Sequence, residues 1–187
     1  MGDEGVGKTS LVRRFVLSEF SERYVRTVGV VIHKRVVYLG PIDGRTYGAT
    51  LTIWDILGGE QFASQYGKAY LANVAGILAV CDLPRRETLD GLDSWLQRVR
   101  ASARVPAIVL ANKIDATDRI RVSHGELAAL CKRHGVSFLE TSAKTGQNVG
   151  VAFSRLAEAA LRNALAAQPP LVGATEELAP AADRPTG

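Results

Sequence analysis

The sequence predicts an α/β fold, a doubly wound, mostly parallel sheet with helices on both faces, and three observations predict it. Residues 75–82 (AGILAVCD) and 105–112 (VPAIVLAN) are short continuous apolar runs, the mark of strands buried on both faces of a parallel sheet. The stretches between and after them space their apolar residues three and four apart, as amphipathic helices do. Residues 2–10, GDEGVGKTS, match the spacing GxxxxGK(S/T), a glycine loop that opens directly into a helix.

Taken in order, Leu11, Val12, Phe15 and Val16 give the first helix its buried stripe. Residues 25–38 are rich in Val and Ile, residues 40–44 (GPIDG) break the run, and residues 49–55 resume it, so a two-stranded hairpin is expected. The strand at 75–82 is followed by a helix lined by Leu89, Leu92, Leu96 and Val99, then by the strand at 105–112. After Asn112 a helix carries Leu127, Leu130 and Cys131, residues 136–140 form a last strand, and Phe153, Leu156, Ala157, Ala160, Leu161 and Ala164 stripe a final helix. One domain is therefore expected over residues 1–167. From 168 to 187 the composition turns to Pro, Ala, Thr and Glu without periodicity, which predicts a disordered tail.

A chain of 187 residues, 47% hydrophobic and 22% charged, has room for one proper core. Its 23 basic residues give a net charge of +4, but they are scattered and no basic stripe interleaved with aromatics appears, so a nucleic-acid surface is not expected. The two cysteines, Cys81 and Cys131, lack metal-ligand or redox spacing and read as small buried hydrophobes in a reducing compartment. No apolar run is long enough to span a bilayer and no leader or lipidation signal is legible, so a cytoplasmic monomer without a direct membrane anchor is expected.

The glycine loop carries the chemistry. Its backbone N–H groups turn inward toward phosphate oxygens, and the helix behind it aims a positive dipole end at the same charge. Lys8 would reach the β- and γ-phosphates, and Thr9 would present its hydroxyl to Mg²⁺, a hard cation that prefers oxygen. The base is read elsewhere. Asn112-Lys113-Ile114-Asp115 leaves the end of a buried strand, where open α/β sheets bind ligands, and the Asp115 carboxylate would accept from N1–H and the 2-amino group of guanine. Thr141-Ser142-Ala143-Lys144 leaves the next strand, and the Ala143 N–H would donate to the guanine 6-oxygen; adenine offers a donor there. These residues disfavour an ATP-dependent kinase on the same scaffold.

With these motifs in this order, the chain resembles the Ras superfamily of small GTPases, most closely its Rab-like branch, from Gly2 to about Ala167. Phe20, Tyr24, Thr27 and Gly29 stand at that family's spacing for a first switch, and residues 53–60 (IWDILGGE) resemble its second. The resemblance implies GTP/GDP and Mg²⁺ as ligands. It implies nucleotide contacts from Glu4, Gly5, Val6, Gly7, Lys8, Thr9 and Ser10 in the loop, from Phe20 against the base, and from Thr27 and Gly58 in the switches. Asn112, Lys113, Asp115, Ser142, Ala143 and Lys144 complete the set. Thr9, Thr27 and Asp55 would hold the metal, and protein effectors and regulators would read the switch loops.

Two departures from the family pattern touch hydrolysis. Gly59 stands where WDxxGQE has the glutamine that orients the attacking water, and Gln61, two positions on, is the candidate substitute beside Lys8 as a catalytic residue. Glu4 replaces a small residue, either bringing like charge toward the γ-phosphate or pointing to solvent. The expected function is a GTP/GDP switch with slow intrinsic hydrolysis; the alternative is a GTP-bound docking module without useful turnover.

The first strand of the resembled fold, which precedes the glycine loop in the middle of the sheet, is missing, because only Met1 stands before Gly2. Five buried apolar residues at about 1.5 to 3 kcal/mol each come to roughly 7 to 15 kcal/mol, comparable to a whole domain's stability. An internal start and an upstream apolar segment of about five to seven residues are therefore expected.

Overall fold

The two continuous apolar runs are strands paired in parallel: β3 (Ile77–Asp82) lies along β4 (Ala107–Asn112), and β4 lies along β5 (Ser137–Thr141). The computed structural model describes residues 1–23, 27, 29–58, 71, 73–102 and 104–167. The expected tail at 168–187 lies outside them, as do Tyr24 and residues 59–61 with the candidate Gln61. The other elements are helix α1 (Lys8–Leu17), strands β1 (Val30–Ile42) and β2 (Arg45–Ile56), and helices α2 (Glu87–Ser102), α3 (His124–His134) and α4 (Val149–Ala167).

Side chains alternate across the parallel strands, so each strand feeds two cores. Ala79, Cys81, Val109 and Ala111 pack with Leu92, Leu96, Leu127 and Leu130 of α2 and α3 on one face. Val80, Ile108 and Leu110 pack with Leu11 and Phe15 of α1 and Phe153 of α4 on the other, where the Phe15 and Phe153 rings stack 4.1 Å apart. Helices on both faces follow, as the runs predict. Both cysteines are free and buried, and burial pushes the Cys81 thiol up to about 12 and the Cys131 thiol up to about 11.

The hydrogen-bonded sheet is in two pieces. β1 and β2 form an antiparallel hairpin, β3–β4–β5 form the parallel sheet, and no ladder joins them among the described residues. On the edge of β3 away from β4 a single residue pairs among the described residues: the Met1 amine donates to Leu78 O at 2.8 Å and Val80 N donates to Met1 O at 2.9 Å. Gly2 follows at φ 134, and a Cβ there would run into Val80 O.

The hairpin is longer than the sequence predicts, because Gly40, Pro41 and Ile42 of the expected break belong to β1 and β2 already begins at Arg45. The turn is only Asp43-Gly44, both at positive φ (49 and 75), which is the backbone that joins twisted antiparallel strands through two residues. Gly40 and Pro41 are absorbed as a register shift between Leu39 and Ile42.

The helix expected after Asn112 with Leu127, Leu130 and Cys131 on its buried face is α3. A 3-10 turn (Thr117–Arg119) intervenes, and α3 begins only where Ser123 and Glu126 cap it reciprocally: Ser123 N donates to the Glu126 carboxylate at 2.9 Å and Glu126 N to Ser123 Oγ at 3.3 Å.

Candidate nucleotide-binding site

The carboxyl ends of β4 and β5, the glycine loop and the ends of the hairpin border one cavity of about 380 Å³. The loop reaches it through left-handed backbone at Gly5 (φ 74) and Gly7 (φ 99). A Cβ on Gly7 would collide with the Asn112 side-chain amide, so glycine is required both by conformation and by the close approach of β4. Gly7 is the N-cap of α1 and supplies no side-chain acceptor, which leaves the first N–H groups of α1 for an anion.

Lys8 turns back over its own loop, its Nζ donating to Gly2 O at 2.9 Å and Asp3 O at 2.7 Å. Burial lowers it to about 8, against the opposing charges of Asp55, Asp3 and Glu4. Gly58 lies so close to Lys8 Nζ and to Asp3 O that a Cβ there would strike both. Asp3 itself accepts from Trp95 Nε1 of α2 at 3.2 Å.

Three oxygen-bearing side chains form the candidate metal set. Asp55 is 2% exposed, and neither of its carboxylate oxygens has a hydrogen-bond partner among the described residues. The hydroxyls of Thr9 and Thr27 lie 2.7 Å apart. A buried, unpartnered carboxylate with two hydroxyls is a hard-oxygen donor set of the kind Mg²⁺ prefers, so the residues present fit the ion.

On the other wall the loops are tightly bonded. The buried Asn112 amide donates to Val6 O at 2.9 Å, and its Oδ1 accepts from Thr141 Oγ1 and from Ala143 N, each at 3.3 Å. The Ala143 N–H expected to meet a base oxygen is thus already engaged, at a length a ligand oxygen can better. Asp115 is exposed at the cavity rim, where its Oδ1 accepts from Ser142 Oγ at 2.6 Å, and that hydroxyl in turn accepts from Thr145 N at 3.0 Å. Glu4, Ser10, Phe20 and Lys144 also line the cavity, whereas Val6 is fully buried beneath the loop. Lys144 pairs with Glu22 at 2.8 Å.

Two anchors were not read from the sequence. Asp82, 1% exposed at the end of β3, accepts from Lys113 Nζ at 2.7 Å and Arg85 Nε at 2.8 Å. Those cations continue to the glycine loop, Lys113 donating to Gly5 O at 3.1 Å and Arg85 to Glu4 O at 3.0 Å. Lys113, at φ 67, is thereby a strut beneath the loop. Arg14 of α1 donates from Nε to Ala143 O at 2.8 Å and from Nη2 to Lys144 O at 2.5 Å, its guanidinium 5.8 Å from the Phe20 ring. A carboxylate ending a buried run is the signal for the first anchor; an arginine on the first helix gives none for the second.

Comparison with known proteins agrees with this architecture. The Ras family model matches residues 1–162. Ras-related protein Rab-13 of Bos taurus is 35% identical over 159 residues, covering 84% of this chain and 75% of the relative, and Rab-13 of Canis lupus familiaris matches to the same extent. A phosphate loop at the head of α1, an asparagine-lysine-aspartate turn after β4, a serine-alanine-lysine turn after β5 and a family match over nearly the whole described chain lead to one assignment: the chain belongs to the Ras family of small GTPases, on its Rab-like side.

Proposed function

We propose that the chain binds GTP and GDP with Mg²⁺ and works as a monomeric, cytoplasmic two-state switch, read by effectors and regulators through the loops around Thr27 and Gly58. The observation that carries this reading is the convergence of Lys8, Thr9, Asn112, Lys113, Asp115 and Ala143 on one cavity. Family membership supports it, since Ras and Rab proteins as a class bind guanine nucleotides with Mg²⁺ and engage effectors and regulators.

Each residue has a distinct task. The Gly5–Ser10 backbone and the amino end of α1 take the phosphates, and Lys8 leaves the carbonyls of Gly2 and Asp3 to meet them. Thr9, Thr27 and Asp55 would hold Mg²⁺, which supplies charge neutralisation at the phosphates when bound. Asp115 and the Ala143 N–H read the base, Phe20 covers it, and Asn112 and Lys113 hold the reading loops against the phosphate loop.

In hydrolysis a water oxygen bonds to the γ-phosphorus while the bond to the β–γ bridging oxygen breaks, releasing GDP and inorganic phosphate. Lys8 offsets the charge on the phosphates. With Gly59 in the water-orienting place, intrinsic turnover is slow by about a hundredfold, or on the order of 3 kcal/mol.

Two measurements test the proposal. Titration with GTP, ATP and xanthosine triphosphate should show strong preference for GTP, moved toward xanthine by Asp115→Asn; equal affinity for ATP and GTP would sink it. Single-turnover hydrolysis should be slow and should accelerate in Gly59→Gln. If Gly59→Gln is no faster and Gln61→Ala abolishes turnover, Gln61 orients the water. Gly59 also favours the second reading, a GTP-bound docking module, which a complete lack of turnover in the unmutated protein would select.

A further inference from the structure

A second cavity, of about 530 Å³, lies at the opposite end of the parallel sheet, where β4 and β5 begin. Its size falls within the range of small-molecule sites. Its floor is apolar, made by Leu96 and Val99 of α2, Ile108 of β4 and Ala159 of α4. Its rim is cationic: Arg100 from α2, Arg104 from the segment before β4 and Arg155 from α4 all line it, and among the described residues no Asp or Glu does.

These three arginines come from separate parts of the chain, and no carboxylate among the described residues pairs with them. Arg100 donates to the carbonyl of His134, which ends α3. Arg104 and Arg155 have no ion-pair partner among the described residues. The nearby acids are committed elsewhere. Asp93 holds His134 at 2.7 Å and Arg133 at 3.1 Å, and Glu158, one turn beyond Arg155, holds Arg162 at 2.8 Å.

We propose that this cavity is a binding site for an amphipathic phosphate monoester, its phosphate held by Arg104 and Arg155 with Arg100 behind them and its apolar body on the Leu96–Val99–Ile108 floor. A phosphate monoester fits better than a carboxylate, because a carboxylate occupies one guanidinium fork whereas a phosphate dianion has three oxygens to share among several. An inorganic ion would leave the floor uncovered, and an uncharged hydrocarbon would leave the cations facing one another. The same headgroup chemistry occurs in a free organic phosphate and in phosphatidic acid at a membrane surface.

The test uses the full chain saturated with GDP and Mg²⁺, so that the nucleotide cavity is filled. Calorimetric titration with monomeric octyl phosphate should give one site per chain, with affinity falling tenfold or more in Arg104→Ala/Arg155→Ala. Both residues are exposed, and an unchanged melting temperature and GDP content in that variant checks that the fold is intact. Arg45→Ala/Arg121→Ala removes equal charge elsewhere and should bind as the unmutated protein does. Absence of binding, an equal loss in the control variant, or inorganic phosphate or octanol alone binding as tightly as octyl phosphate would each overturn the proposal. Sedimentation with phosphatidylcholine vesicles, with and without phosphatidic acid, then distinguishes the sources. Pelleting that needs both phosphatidic acid and the two arginines identifies a lipid headgroup, and octyl phosphate binding without pelleting identifies a free organic phosphate.

Discussion

Asn112 lines the candidate nucleotide cavity and Asp55 is buried near the end of β2, and the two are treated oppositely. The Asn112 amide has both ends engaged, to Val6 on one side and to Thr141 and Ala143 on the other, while neither Asp55 oxygen has a partner among the described residues. Asn112 ends β4, which is buried from both faces; Asp55 stands near the end of a hairpin whose far face is exposed at Ile32, Val36 and Tyr38. On the proposed function the difference separates two physical jobs. A base-reading wall must keep its geometry before the ligand arrives, whereas a phosphate- and metal-side wall can leave charge unsatisfied so that the ligand supplies what is missing.

The most damaging way to break this contrast is Asn112→Ala. It strips three contacts from a buried network and leaves Val6 O and Ala143 N to find other partners. The expected cost is about 4 kcal/mol, roughly a thousandfold in GDP affinity. Equilibrium titration reads this directly, and a loss under tenfold would mean that the reading loops hold themselves without β4.

Asp55→Asn attacks the other wall. Here the expected loss is in the benefit that Mg²⁺ brings to nucleotide affinity, which should shrink by about 3 kcal/mol, or roughly a hundredfold. The check is GDP dissociation measured with Mg²⁺ and with chelator. If the ratio of the two rates is unchanged, Asp55 takes no part in holding the ion.

A pH titration sharpens the comparison without removing a group on the base wall. Lys8 titrates at about 8 in the nucleotide-free protein, lowered chiefly by burial, and phosphate charge beside it raises that value. Above pH 8 binding must therefore take up a proton, and affinity should fall by about tenfold per pH unit. The sign for folding is opposite: the unfolded chain holds this proton up to about 10.5, so the group's contribution to nucleotide-free stability rises between pH 8 and 10.5. Lys8→Met should bind weakly with its affinity drop above pH 8 abolished; an identical pH profile would assign the proton to another group.

The smallest effect belongs to Arg14→Ala, which loosens the base wall from outside. Its hydrogen bonds reach loop carbonyls near the surface, so about 1 kcal/mol, or roughly fivefold faster GDP release, is expected. Stopped-flow release of a fluorescent GDP analogue resolves that, and an unchanged rate would reduce Arg14 to a surface residue.

What was legible in the sequence follows the same division. β3 and β4 were visible because double-sided burial forces uninterrupted apolar runs, and the loop residues were visible by the spacing of their motifs. The hairpin's extent was misread because Gly40 and Pro41 signal a break, yet a register shift accommodates them within β1. The start of α3 was in reach, since Ser123 and Glu126 stand at capping-box spacing just before Leu127. Arg14 was out of reach: its partners lie 129 and 130 residues away, and one basic residue on a helix says nothing about which carbonyls it meets. Asp82 lay between these cases, its place at the end of a buried run visible but its two cationic partners set by tertiary packing.

Arg14 also bears on time. The helix that begins at the glycine loop sends this one side chain across to the carbonyls of Ala143 and Lys144, so the two ends of a nucleotide bound as proposed would share a brace. A ligand that lets go of its phosphates first relaxes the start of α1 and, through Arg14, slackens the carbonyls of Ala143 and Lys144. On the proposed function the dwell times of the two ends would then be correlated, and nucleotide escape would proceed as one concerted opening with a single rate. A partner protein that pries at the phosphate loop alone would thereby hasten departure of the base, which it never touches.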